Sequence, residues 1–194
     1  MNHIFYLMGK SSSGKDTIYS RILKETGLIP IVLYTTRPIR DSEHEGVEYH
    51  FVDDDRFNAM RDGGEVIEWR TYDTKCGKWT YYTASDSLST ENGDRIGIGT
   101  LQSYLKIRDR VGDDVIVPVY IEVDDDIRFL RAVEREKQQS SPKYAELCRR
   151  FLADNEDFSD EKLSEAGITR RFENNGSVDE CLASIKKYIT GFQK

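Results

Sequence analysis

Along the chain, Ile4-Phe5-Tyr6-Leu7-Met8 forms a short apolar run, broken at once by the small residues between Gly9 and Gly14. That is the pattern of a buried strand feeding a turn. Helical spacing follows, with Ile18, Ile22 and Leu23 on one face and Gly27 placed to supply the C-cap. Leu28 to Tyr34 and Asp114 to Val123 read as further apolar strands, and Leu101 to Val111 as a helix between sheet elements. Apolar strands alternating with helices predict an α/β fold, a parallel sheet with helices on both faces.

The texture changes between Thr35 and Ser89, where GVEYHFV, EVIEW and KWTYYTA are short strand-like pieces around one small helix, Asp54 to Arg61. This stretch predicts a separate small lobe. From Asp125 to about Asp160 the chain is strongly charged and helical, and Ser177-x-x-Glu180 then opens a last helix as a capping box. The expected organisation is one domain with core 1–34, 92–125 and 165–194, a lobe at 35–91 and a helical lid at 126–164.

A chain of 194 residues suits one such domain, and 38% hydrophobic with 11% aromatic residues exclude global disorder. The formal net charge of -7 opposes a broad electrostatic grip on nucleic acid or anionic lipid. Any polyanion must therefore be held locally. Cys76, Cys148 and Cys181 are odd in number and without CxxC spacing, which argues against a disulfide framework or a zinc site. With no apolar stretch near the ~20 residues of a membrane span, a cytoplasmic protein without membrane or nucleic-acid partners is expected.

Gly9-Lys10-Ser11-Ser12-Ser13-Gly14-Lys15 matches GxxxxGK between a predicted strand and a predicted helix, the setting that a phosphate-binding loop requires. Backbone N–H groups of such a loop converge on phosphate, the glycines allow close approach, and Lys15 reaches the β and γ phosphates of ATP. Gly9, Ser11, Ser12, Ser13, Gly14, Lys15, Asp16 and Thr17 are thus the candidate ATP-binding residues. The position after the lysine, normally a Ser or Thr that ligates Mg²⁺, is Asp16. A carboxylate can ligate Mg²⁺ or can instead interact with the helix dipole, and both readings stand. Thr17, turned about 100° around the helix, is no simple substitute.

Downstream come Thr35-Thr36-Arg37-Pro38-Ile39-Arg40, then EHEGVEYHFV from Glu43 and Val66-Ile67-Glu68-Trp69. Two arginines three residues apart beside tyrosine hydroxyls suit a dianionic phosphate, because guanidinium forks donate paired charge-assisted hydrogen bonds. With the P-loop, this order of motifs resembles the guanylate kinases over most of the chain. The resemblance implies a P-loop three-layer parallel sheet flanked by helices, with a small acceptor-binding lobe and a helical lid. It also implies Mg²⁺-assisted transfer of the ATP γ-phosphoryl to GMP. Arg37, Arg40, Tyr49 and Tyr81 would take the acceptor phosphate, and Glu68 and Thr83 the guanine. Lys15, Arg37, Arg135 and Arg149 would be catalytic, the last two chosen from the lid candidates Arg131, Arg135, Arg149 and Arg150. Asn174 would lie near the adenine and Asp16 at the metal. Where the family has two aspartates in an LDxD-like strand end, this chain has Gly97 and Gly99, and Leu33 stands near a base-contacting serine. Those departures keep two alternatives open, a sugar-phosphate kinase of the ribose bisphosphokinase type and a non-catalytic guanylate-kinase-like binding module.

Overall fold

The computed structural model describes residues 1–74 and 77–193, so Cys76 lies outside the described residues. Its centre is a five-stranded parallel sheet of β1 (Ile4–Met8), β2 (Ile29–Pro30), β7 (Arg95–Gly99), β8 (Ile116–Glu122) and β9 (Arg171–Glu173). The strand order is β2-β7-β1-β8-β9. Every residue of β1 is buried, which explains its unbroken apolar run: a central parallel strand is covered on both faces.

Alternation along β1 assigns its side chains to two cores. Ile4, Tyr6 and Met8 pack with Leu101, Tyr104 and Ile107 of α3 (Leu101–Val111) and Leu163 of α6 (Asp160–Glu165). Phe5 and Leu7 pack on the other face with Ile18 and Ile22 of α1 (Lys15–Glu25) and Leu182, Ile185 and Ile189 of α7 (Val178–Phe192). The expected parallel sheet between helical layers is what forms.

A second, four-stranded sheet runs in the order β4-β3-β6-β5, from β3 (Leu33–Thr35), β4 (Tyr49–Phe51), β5 (Val66–Thr74) and β6 (Gly77–Ala84). Its own small core gathers Tyr34, Tyr82 and Ala84 under Phe57 and Met60 of α2 (Asp54–Asp62). The charged stretch is α4 (Asp125–Lys137) and α5 (Tyr144–Asp157).

Three sequence expectations need correction. The predicted strand Leu28 to Tyr34 is two strands in two sheets: Ile29 and Pro30 pair with β7, whereas Leu33 to Thr35 pair with β4 and β6. Pro30, with no N–H to donate, is tolerated because β2 is a sheet edge. Helix α1 ends at Thr26, whose hydroxyl bonds back to Ile22 O at 2.8 Å, before Gly27 is reached. Ser177 does cap α7, but it accepts from Asp179 N at 3.2 Å, one residue short of capping-box geometry. Cys148 is exposed and Cys181 buried, both as free thiols. Among the described residues no helix is long and apolar enough to cross a membrane.

Candidate active site

The loop after β1 closes tightly on itself. A Cβ on Gly9 would meet both Ile121 O and Ser13 Oγ at 2.7 Å, so only glycine fits there. Gly14 takes a left-handed φ of 83° and opens α1 with no side-chain cap, leaving first-turn N–H groups directed outward. Ser12 also has positive φ, at 65°. Ser12 Oγ and Ser13 Oγ are buried without hydrogen-bond partners. Such groups are costly in isolation and become favourable once an anion's oxygens fill the loop.

Asn174 stands behind this loop. It is 1% exposed and donates to Ser13 O at 2.8 Å, so its side chain braces the loop from beneath. Lys15 Nζ lies 3.9 Å from Asp16 Oδ2, and the Asp16 side chain is 85% exposed. Thr17 is exposed as well. Among the described residues no three His, Cys, Asp or Glu side chains gather into a metal cage. One exposed carboxylate beside a phosphate loop does fit Mg²⁺, which keeps several waters and takes its other ligands from substrate phosphates.

Helices α4 and α5 meet the loop through residues that sequence reasoning passed over. Ser11 N donates to Asp154 Oδ2 at 2.9 Å, and Lys10 Nζ lies 3.6 Å from Asp125 Oδ1. Arg128 is fully buried between these acids, bonding Asp125 at 2.9 Å and Asn155 at 2.7 Å with its guanidinium 3.8 Å from the Phe151 ring centre. The favoured lid arginines are elsewhere: Arg135 is exposed, and exposed Arg149 is bonded to Glu146 on its own helix at 2.7 and 2.8 Å. Neither reaches the P-loop in this arrangement. Arg131 is half-buried, and Arg150 shares Glu146 with Arg149.

A cavity of about 500 Å³ lies between the two sheets, lined by Tyr49, Tyr81, Glu68 and Arg70 among others. Strand pairing sets Glu68 opposite Thr83, whose hydroxyl donates to Glu68 Oε1 at 3.0 Å in a buried contact. The rings of Tyr49 and Tyr81 meet edge to face at 5.5 Å. Arg37 is 3% exposed and its fork is already filled: Nη1 and Nη2 bond the Glu43 carboxylate at 2.9 and 2.8 Å. The pair raises the guanidinium above its ordinary value, with Tyr81 adding to the effect, and holds Glu43 below the usual carboxylate range. Arg40 is exposed. The expected open clamp of two arginines and two tyrosines is thus occupied on its arginine side by an acid of its own loop.

The glycines of β7 are explained by Tyr6. A Cβ on Gly97 would come within 2.8 Å of the Tyr6 ring, and one on Gly99 would overlap the Tyr6 hydroxyl. The ring therefore occupies the space into which longer side chains at these positions would extend. Burial, reinforced by the charge of Glu68, pushes the phenol well above its ordinary range, so Tyr6 stays protonated beside Ser103 and Glu68.

Comparison with known proteins bears on the same elements. Residues 1–85, which carry the P-loop, Arg37, Tyr49, Glu68 and Thr83, match the family model of guanylate kinase. The chain is 33% identical over 114 residues to a guanylate kinase of Rhodopseudomonas palustris, covering 58% of this chain and 51% of that protein. A guanylate kinase of Bartonella quintana is 44% identical over 66 residues, 34% of this chain and 30% of that protein. Residues 1–85 are thus the part of the chain most similar to the guanylate kinases. The chain spans about half of the first relative's length and less of the second's. The guanylate kinase fold extends further than the sequence match. A crystal structure of guanylate kinase from Anaplasma phagocytophilum superposes with a TM-score of 0.63 at 17% identity, covering 99% of this chain and 86% of that one.

Within this fold, the residues beside the candidate site that sequence reasoning missed are Tyr6, Glu43, Arg70, Arg128 and Asp154. Glu43 and Asp154 had no motif to mark them. Arg70 did carry a signal, since residues two apart on a strand share a face and Glu68 was already a candidate.

Proposed function

We propose that the chain is an ATP-dependent kinase that transfers the γ-phosphoryl of ATP to GMP, giving ADP and GDP. The observation that carries this reading is the buried Glu68–Thr83 pair, at 3.0 Å, on the wall of a cavity it shares with Tyr49 and Tyr81. Carboxylate oxygens held there can accept from N1–H and N2–H₂ of guanine, and the two tyrosine hydroxyls can meet the acceptor phosphate.

In this reading the core, 1–34, 92–125 and 165–194, holds ATP in the Gly9 to Gly14 loop, where Lys15 neutralises charge on the β and γ phosphates. Mg²⁺ bound with ATP would neutralise phosphate charge, and Asp16 is the residue of this chain that would hold it. The lobe 35–91 presents the acceptor phosphate, with Arg37 and Arg40 completing the set once the acceptor's dianion displaces Glu43. The lid 126–164 excludes water, because a site open to water would hydrolyse ATP instead. Its exposed Arg135 and Arg149 are the candidates to reach the transferring phosphoryl on closure, and Arg149 leaves only a solvated ion pair in doing so. The cytoplasm, where ATP and GMP are present, is the compartment this activity implies, with no nucleic acid or membrane partner.

ADP release with Mg-ATP, measured against GMP, dGMP, AMP and ribose 1,5-bisphosphate, tests the proposal. GMP-dependent turnover that Lys15→Ala abolishes while far-UV circular dichroism stays unchanged is the expected result. Absence of acceptor-dependent ADP release overturns it, and faster turnover with the bisphosphate than with any nucleotide replaces it with a sugar-phosphate kinase.

A further inference from the structure

We infer that the Tyr6 hydroxyl reads O6 of the acceptor guanine and so sets specificity, an inference that rests on the GMP-kinase reading above. Tyr6 belongs to β1, the fully buried central strand, and packs against Tyr104 of α3 with ring centres 6.2 Å apart. Its two ends meet different surroundings. The ring edge lies against Gly97 and Ile31, in the wall of a second cavity of about 340 Å³ that Tyr19, Leu23 and Pro30 also line. The hydroxyl reaches over Gly99 instead, where it joins Glu68, Ser103 and Leu33 in the wall of the acceptor cavity.

The hydroxyl is fixed at its oxygen and open at its proton. Burial and the charge of Glu68 push the phenol well above its ordinary range, while the Ser103 hydroxyl, hydrogen-bonded to the phenol oxygen, draws it down. Only a donated proton acts in that downward direction, so Ser103 donates and Tyr6 accepts. Ser103 Oγ in turn accepts from Arg70 Nη2 at 2.9 Å and, its one proton being spent on Tyr6, from the Thr100 hydroxyl at 3.2 Å. The pattern is a chain of donors that begins at the Arg70 cation, passes through Ser103 and ends at the Tyr6 O–H. Among the described residues no group accepts that last proton.

Guanine brings an acceptor to this place. Glu68 accepts from N1–H and N2–H₂ in the reading above, and the atom beside N1 on the side away from N2 is O6, an acceptor. A neutral donor next to Glu68 matches it. Leu33, which shares this wall with Tyr6, has no polar atom for the contact, and side chains at positions 97 and 99 would need the space that the Tyr6 ring fills. Adenine presents N6–H₂ where guanine has O6, which sets donor against donor.

The test is kcat/KM for GMP, IMP and 6-thio-GMP in the wild type and in Tyr6→Phe, with KM for ATP and thermal melting as controls. The sulfur analogue keeps N1–H and N2–H₂ and replaces O6 by a weak acceptor. One neutral hydrogen bond is worth about 2- to 13-fold. The wild type should prefer GMP over 6-thio-GMP, and Tyr6→Phe should lower kcat/KM for GMP and IMP within that range, chiefly through KM. It should leave 6-thio-GMP nearly unchanged, so the preference for oxygen over sulfur shrinks by the same factor. The size of the sulfur cancels in that ratio, since both proteins carry the ring. If Tyr6→Phe weakens all three acceptors by one common factor, or leaves GMP unchanged, the inference is overturned while the kinase reading survives. Equal use of GMP and 6-thio-GMP by the wild type overturns it too, and that comparison needs no variant to fold. A wild type that phosphorylates no nucleotide overturns both.

Discussion

The fit between Tyr6 and the β7 glycines yields a worked prediction. In Gly97→Ala the new methyl would sit 2.8 and 2.9 Å from two Tyr6 ring carbons and 3.0 Å from Ile31 Cδ1. Carbon pairs prefer about 3.5–4.0 Å, so each contact is too close by roughly half an ångström or more. The Tyr6 ring is 4% exposed and Ile31 8%, which leaves neither an easy way to yield. Overpacking of this kind costs about 1–3 kcal/mol, and in a chain of this size each kcal/mol lowers Tm by about 2–4 °C. Tyr6→Leu alone should also destabilise, by removing a buried ring and leaving a void. The double variant is the decisive one: with the ring gone the methyl has room, so Gly97→Ala should cost at least about 1 kcal/mol less in the Tyr6→Leu background. Urea denaturation of the four proteins measures this cycle, and KM for GMP should rise in Gly97→Ala because the displaced ring lines the acceptor cavity. Additivity within about 0.5 kcal/mol would refute the claim that these positions are glycine on account of Tyr6.

Two further predictions concern groups that hold the candidate site in order. Arg37 keeps Glu43 below its ordinary value of 4.5 in the folded state, so this pair stabilises the protein above about pH 4.5 and its contribution is lost as pH falls below that. Glu43→Gln should therefore show a shallower loss of stability below pH 4.5 than the wild type in acid titration followed by denaturant melts, and equal slopes would count against the pair. Asp154→Ala frees Ser11 N from a carboxylate now 2.9 Å away, so KM for ATP should fall severalfold in initial-rate assays. An unchanged KM would mean that the acid does not compete with phosphate.

How much of this was legible in the sequence depended on whether a feature is local. The P-loop was readable because its glycines answer to geometry within seven residues: Gly14 takes a φ of 83°, and a Cβ on Gly9 would stand 2.7 Å from Ser13 Oγ. Glu68 and Thr83 were each named as a guanine contact by family resemblance, and strand register brings them to 3.0 Å of each other. The arginines of α4 and α5 could not be told apart in the sequence for the opposite reason. Arg128, Arg135 and Arg149 are indistinguishable as letters in a charged helix. Only the packing of α4 against α5 buries the first, while the other two stay exposed.

By itself, the sequence determined the buried central strand from Ile4-Phe5-Tyr6-Leu7-Met8, the phosphate loop after it, the helix Leu101 to Val111 and the presence of a second, β-rich lobe. Each follows from periodicity or from steric limits on neighbouring residues. Tertiary structure alone decided that Leu28 to Tyr34 divides between two sheets, because equal hydrophobicity does not say which strand will supply the hydrogen bonds. It also decided that Glu43 fills the Arg37 fork, that Asn174 braces the loop from beneath, and that Tyr6 takes the space above Gly97 and Gly99. Those pairings join residues far apart in the chain or turn on side-chain orientation, and a charge or a volume acquires its partner only when the two sheets and the lid are assembled around it.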